Sequence, residues 1–164
     1  MSINHKMSIN HKNAAKVDGK YTLFFDGCSK GNPGKAGAGA VLYHTDDDNT
    51  ELTEIWACAE FVGLKQTNNY AEYMGLILGL AESVKKGLTN LLVKGDSLLI
   101  IKQMQGVYQV NAPHLQPLYQ QAIALVKIIG RVEFEHVYRN KNKRADELAN
   151  KPVVNDLYLQ VKHL

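Results

Sequence analysis

The chain has 164 residues, 45% hydrophobic and 21% charged, proportions that exclude a fibrous repeat and a disordered chain and leave room for one domain with one core. Nineteen Lys and Arg against sixteen Asp and Glu give a net charge of +3, too mild to announce a nucleic-acid binder alone. No apolar run approaches the ~20 residues of a membrane helix, so no membrane association is expected, and no secretory leader is expected either. The two cysteines, Cys28 and Cys58, cannot build a disulfide framework or a Cys-rich zinc site. A reducing compartment is the expectation: the cytoplasm, or the nucleus of a eukaryote.

The chain opens with Met-Ser-Ile-Asn-His-Lys written twice. Residues 1–17 read as a disordered tail, whose His5 and His11 lack a neighbouring carboxylate or cysteine to complete a metal site. Residues 18–152 read as the folded domain and 153–164 as a C-terminal extension. Residues 20–26 predict a strand apolar on both faces, hence central and covered on both sides. Residues 27–39 hold five of the thirteen glycines plus Pro33 and read as a loop. Residues 38–44 and 51–61 predict two more strands around an acidic turn at 45–49, completing an antiparallel meander.

Thr67 or Asn68 can cap a long helix to about Lys86, with Gly87 as its stop. Gly75 and Gly79 inside it suggest close packing on a sheet. A strand follows at 91–94, then a helix at 97–105 ended by Gly106. Pro113 is expected to open a helix at 114–129, ended by Gly130. Residues 131–138 predict the last strand. Asn142 is read as the cap of a short helix from Lys143 to about Asn150, ended by Pro152. The order is α/β, with an antiparallel start, parallel pairing later and helices on both faces of a mixed sheet.

Asp26 closes the first strand and Asp96 follows the fourth, where sites collect at the carboxyl ends of parallel strands. Glu72 and Asp146 stand near the starts of helices that begin at the same edge. Each acid also has an ordinary reading, as a helix-dipole partner or a turn residue. Four converging carboxylates repel one another and require cations. An all-oxygen donor set points to Mg²⁺, with Mn²⁺ as a substitute. Two such ions sharing one carboxylate is an arrangement that hydrolyses phosphodiesters. Lys141, Lys143 and Arg144 crowd a helix N-terminus, where cations are unfavourable. That placement suggests an external anion such as a phosphate backbone.

Four segments carry a family resemblance. Phe25-Asp26-Gly27-Cys28-Ser29-Lys30-Gly31-Asn32-Pro33-Gly34 resembles the first signature of the ribonuclease H type 1 family, and Thr67-Asn68-Asn69-Tyr70-Ala71-Glu72 the second. Gly95-Asp96-Ser97 and Asn142-Lys143-Arg144-Ala145-Asp146-Glu147-Leu148-Ala149-Asn150 resemble the third and fourth. The resemblance covers about Lys20 to Asn150. It implies a ribonuclease H-like fold: a five-stranded mixed sheet in which strands 1–3 form the meander and strands 1, 4 and 5 run parallel. It implies endonucleolytic cleavage of the RNA strand of an RNA–DNA hybrid, leaving 5′-phosphate and 3′-hydroxyl ends. Carried over, Asp26 bridges two ions, Asp146 helps hold the one that activates water, and Glu72 and Asp96 hold the one near the leaving oxygen. Gly31, Asn32, Asn68 and Asn69 would contact RNA and its 2′-hydroxyls, as amides and backbone groups can. Lys65 and Thr67 would meet a DNA phosphate, and Tyr108 a deoxyribose.

Two departures stand out. The segment before the last carboxylate carries no histidine, so turnover is expected to rely on Arg139, Lys141 or metal exchange, with Arg139 counted among the substrate-binding residues. His136 reads as structural or surface. No Lys or Arg lies between Lys102 and Lys127, so the basic protrusion of many bacterial members is missing. Modest hybrid affinity with steep salt dependence is expected from a monomer. The rivals are weaker. Gly27-Cys28-Ser29-Lys30-Gly31 matches a nucleophile elbow, but Asn32-Pro33-Gly34 breaks the helix it needs. Gly34-Lys35 is followed by Ala36, which fails a phosphate loop. An integrase- or resolvase-like nuclease, and a hybrid-binding module without catalysis, remain as alternatives.

Overall fold

The computed structural model describes residues 19–46 and 51–154. The tail expected at 1–17 lies outside them, as do most of the acidic turn and of the C-terminal extension. Five strands form one sheet: β1 (Lys20–Lys30), β2 (Gly34–Thr45), β3 (Leu52–Gln66), β4 (Asn90–Gly95) and β5 (Arg131–His136). Their spatial order is β3-β2-β1-β4-β5. β1 pairs antiparallel with β2 and parallel with β4, and β4 pairs parallel with β5. The doubly apolar first strand is therefore the central one. The helices are α1 (Asn68–Lys85), α2 (Leu98–Met104), α3 (Gln116–Ile129) and α4 (Lys143–Val154), with a 3₁₀ turn at Arg139–Lys141. None is long and apolar enough to cross a membrane.

Alternation along the strands divides the core in two. Leu23, Phe25, Ala40 and Leu42 point to one face and meet Tyr73, Leu76 and Leu80 of α1, with α2 and α3 closing the layer. Tyr73 also donates its buried hydroxyl to Gln103 Oε1 at 2.6 Å, tying α1 to α2. On the opposite face Val41, flanked by Phe24 and Tyr43, meets Ala145 and Leu148 of α4. Gly75 and Gly79 do bring α1 close to the sheet. A Cβ at Gly75 would stand 2.5 Å from the Asp26 carbonyl oxygen, and one at Gly79 2.3 Å from Leu23 Cδ1.

Several boundaries differ from expectation. The glycine-rich stretch 27–39 is mostly strand: Gly27 pairs with Ala38, Cys28 with Gly37 and Ser29 with Ala36. Only residues 31–33 turn. Gly27, Gly37 and Gly39 make room for helices, and only Gly31 and Gly34 serve the turn. α3 starts at Gln116 with Pro117 in its first turn, so Pro117 takes the place expected of Pro113. β5 stops at His136. α4 continues through Pro152 to Val154, with Pro152 and Val153 buried. Pro152 gives up one backbone bond, to the residue four earlier, and its ring packs inward toward Gly37.

Candidate active site

Parallel pairing of β1 with β4 aligns Phe25 with Gly95, so Asp26 and Asp96 lie side by side at one sheet edge. Glu72 lies just beyond the first turn of α1, whose approach depends on Gly27. A Cβ there would stand 2.2 Å from both Ala71 C and Glu72 N. Thr67 fixes the start of this helix by accepting from Tyr70 N at 3.1 Å. One carboxylate oxygen from each of Asp26, Glu72 and Asp96 lies within 4.8 Å of the others. Asp146, in the first turn of α4, lines the same cleft of about 330 Å³. It is steadied by Asn150 Nδ2, which donates to its Oδ1 at 3.3 Å, and by the exposed Arg139, whose guanidinium lies 3.6 Å away.

The electrostatics of the cluster are those of carboxylates awaiting positive charge. Burial, then the charges of Asp96 and Glu72, push Asp26 up to about 9, although Gly27 N donates to its Oδ1 at 2.9 Å. Burial and Asp96 push Glu72 up to about 8. Asp96 also rises through burial, opposed by the Asn142 amide beside it. Glu72 Oε2 is buried without a hydrogen-bond partner, an arrangement native proteins keep where something else completes it. An all-oxygen set with such an orphan fits a hard divalent cation.

The residues expected to read the substrate form a connected edge. Asn68 Oδ1 accepts from Ser29 N at 2.7 Å, and Asn68 N donates to Asn32 Oδ1 at 2.9 Å. Asn32 N donates in turn to Ser29 Oγ at 3.2 Å, and that hydroxyl donates to the Gln66 carbonyl at 2.6 Å. The turn bearing Gly31 and Asn32 is thereby strapped to the start of α1, with Asn32 at φ 36°. Asn69 stands in the first turn of α1 and Lys65 is exposed near the end of β3. Thr67 Oγ1 lies 3.4 Å from His114 Nε2, linking this edge to the loop before α3. Tyr108, 46% exposed, lines a separate cleft of about 800 Å³ with Asn111, Pro113 and Tyr119.

Among the remaining residues Arg144 departs from its sequence reading, while His136 keeps the structural one. Arg144 is not free for an external anion: its Nε lies 2.9 Å from Glu54 Oε1 and its Nη1 3.5 Å from Glu147. Lys141 and Lys143 are exposed beside it. His136 Nε2 lies 3.2 Å from the Asp96 carbonyl oxygen, so it supports the site from behind. Asn142 is almost wholly buried, and its side chain turns to the Phe25 carbonyl, next to Asp26, rather than to the helix. Sequence reasoning named it only as a cap. Its position within the fourth motif was the available signal.

Residues 24–152 match a family model described as reverse transcriptase-like. The chain is similar to a bifunctional protein of Mycobacterium tuberculosis, 46% identical over 131 residues that make up 80% of this chain and 35% of that protein. The solved N-terminal RNase H domain of a protein from the same organism, fused to maltose-binding protein, is 41% identical with a TM-score of 0.78, covering 88% of this chain and 99% of that one. Ribonuclease HI of Halobacterium salinarum is 36% identical over 132 residues, 80% of this chain and 63% of that protein. LC11-RNase H1, solved in complex with an RNA/DNA hybrid, is 34% identical with a TM-score of 0.72, covering 80% of this chain and 94% of that one. The chain thus spans about a third of the mycobacterial relative's full length and less than two thirds of the halobacterial one.

Proposed function

This chain belongs to the ribonuclease H type 1 family, and from that premise we propose that it cleaves the RNA strand of RNA–DNA hybrids with the help of divalent metal ions. The observation that carries the reading is the meeting of three acidic oxygens within 4.8 Å, with Asp146 on the same cleft wall. Asp26, Glu72, Asp96 and Asp146 would hold two ions, Mg²⁺ in first place and Mn²⁺ as a substitute. Bound there, the ions supply an activated water and charge stabilisation for the departing oxygen, giving 5′-phosphate and 3′-hydroxyl ends.

The chain's own residues do the positioning. Asn32, Asn68 and Asn69 offer amides, and Gly31 a bare backbone, to the 2′-hydroxyls of the RNA strand. Lys65 and Thr67 receive a phosphate of the DNA strand, and Tyr108 packs on a deoxyribose of the same strand. Arg139, 3.6 Å from Asp146 and exposed, meets the phosphate backbone at the rim. That an RNA/DNA hybrid occupies LC11-RNase H1 supports this assignment. One gel tests it. Labelled hybrid, double-stranded RNA and double-stranded DNA are each incubated with Mg²⁺, Mn²⁺ or EDTA, for the wild type and Asp26→Asn. Cleavage of hybrid alone, dependent on metal and lost in the variant, is expected. Cleavage of duplex DNA would favour an integrase-like nuclease, and binding without cleavage would reduce the protein to a hybrid-docking module.

A further inference from the structure

Asn142 occupies the N-cap position of α4, since Asp146 N donates to its carbonyl at 3.0 Å. An asparagine there ordinarily turns its side-chain oxygen onto an N–H of the first helical turn. This one does not. Its Oδ1 is buried without a partner, and the residue is 1% exposed. Its Nδ2 instead donates at 2.9 Å to the carbonyl of Phe25, the residue before Asp26. The same amide lies beside the Asp96 carboxylate. One side chain and its own backbone therefore touch the segments that carry Asp26, Asp96 and Asp146.

We propose that Asn142 is a positioning residue of the carboxylate site, fixing the spacing of Asp26, Asp96 and Asp146 and thereby the affinity for metal. The chemistry of the amide suits that task. Its nitrogen carries two N–H groups: one is given to the Phe25 carbonyl, and the second is left for a neighbouring acceptor such as the Asp96 carboxylate. Serine offers one donor. Aspartate would set a further anion against both acceptors. The orphaned Oδ1 is what the chain forgoes as helix capping in order to aim Nδ2 inward. Buried as it is, Asn142 is shut off from substrate, so its influence runs through the carboxylates. Groups that orient ligands in this way typically matter 10–100-fold for metal binding or activity.

The inference rests on the nuclease reading above, and its main test uses no nucleic acid. Mn²⁺ binding to the full chain is followed by calorimetry for the wild type, Asn142→Ala, Asn142→Ser, Asn142→Asp and the core control Leu118→Ala. Steady-state cleavage of hybrid is measured alongside. Asn142→Ala is expected to weaken Mn²⁺ binding by about 10–100-fold. It should also lower kcat, with KM for hybrid kept within about twofold and kcat partly restored by excess Mn²⁺, because the residue acts on the metal ligands and does not touch the nucleic acid. Asn142→Asp should be worse than Ala, and Asn142→Ser, which keeps one donor, milder and a safeguard should Ala fold poorly. Leu118→Ala should lower Tm and leave the Mn²⁺ midpoint in place. Equal Mn²⁺ affinity in wild type and Asn142→Ala, or a shift matched by Leu118→Ala, would overturn the inference while leaving the substrate reading intact. A wild type that binds Mn²⁺ yet spares hybrid would do the reverse.

Discussion

The two faces of the sheet are built to different depths. Among the described residues one carries a cluster of eighteen buried hydrophobics packed among three helices, while the cluster on the other is Val41, Ala145 and Leu148 under α4, whose Ala149, Pro152 and Val153 are buried beside it. At ~1.5–3 kcal/mol for each large side chain buried, α1 is anchored far more firmly than α4. Glu72 belongs to the firmly anchored helix and Asp146 to the lightly anchored one. The geometry follows that division: Asp26, Glu72 and Asp96 form the tight group, and Asp146 stands at its edge with an exposed arginine as partner. The site therefore has a fixed half and a more lightly anchored half, whose Asp146 is steadied by Asn150 and Arg139.

The largest effect that would sharpen this contrast is on catalysis. Asp26→Asn, at the centre of the fixed half, should lower hybrid cleavage by about 10³-fold or more, the scale of losing several kcal/mol of charge stabilisation. Asp146→Asn should cost less. Single-turnover rates at saturating Mg²⁺ measure both, and equal losses would erase the distinction. Next come the cores. Leu76→Ala should destabilise by about 4–5 kcal/mol and Leu148→Ala by about 2–3 kcal/mol, because the smaller cluster collapses more readily around a void. Urea denaturation gives these values. Leu148→Ala should lower cleavage more for each kcal/mol lost, since α4 carries Asp146.

A smaller effect concerns pH. Asp26 keeps its proton in the fold up to about 9, whereas the ordinary carboxyl loses it near 3.8. Between those values the folded state holds more protons than the unfolded one, so stability of the metal-free protein falls as pH rises. Tm measured at several points across that interval should decline, Mg²⁺ should flatten the decline, and Asp26→Asn should remove much of it. A Tm that rises over the same interval without metal would contradict the proton assigned to Asp26 in the fold. Smallest of all is Arg144→Ala. Its pairs with Glu54 and Glu147 are partly exposed, so the loss should be about 0.2–1 kcal/mol and shrink in high salt.

The sequence made the element order legible, and with it the sheet edge where the acids meet, because strand ends and helix starts place them. It concealed the reason for the glycines. Composition marks Gly37 and Gly39 as turn formers, yet a Cβ at Gly39 would stand 2.5 Å from the Ala145 carbonyl oxygen, a contact made across the fold. The same blindness to distant partners hid Glu54 from Arg144, ninety positions away. Asn142 was legible only in part, for the opposite reason. Its place as a cap was evident and holds, but the acceptor that draws its side chain inward, the Phe25 carbonyl, belongs to β1, remote in the chain.

The ring of hydrogen bonds joining Ser29, Asn32 and Asn68 has a kinetic consequence. Its members are ordered by one another and need no incoming partner to set them. The entropy of arranging that rim is spent during folding, so a ligand arriving there meets a finished template, and encounter rather than rearrangement governs how fast it docks.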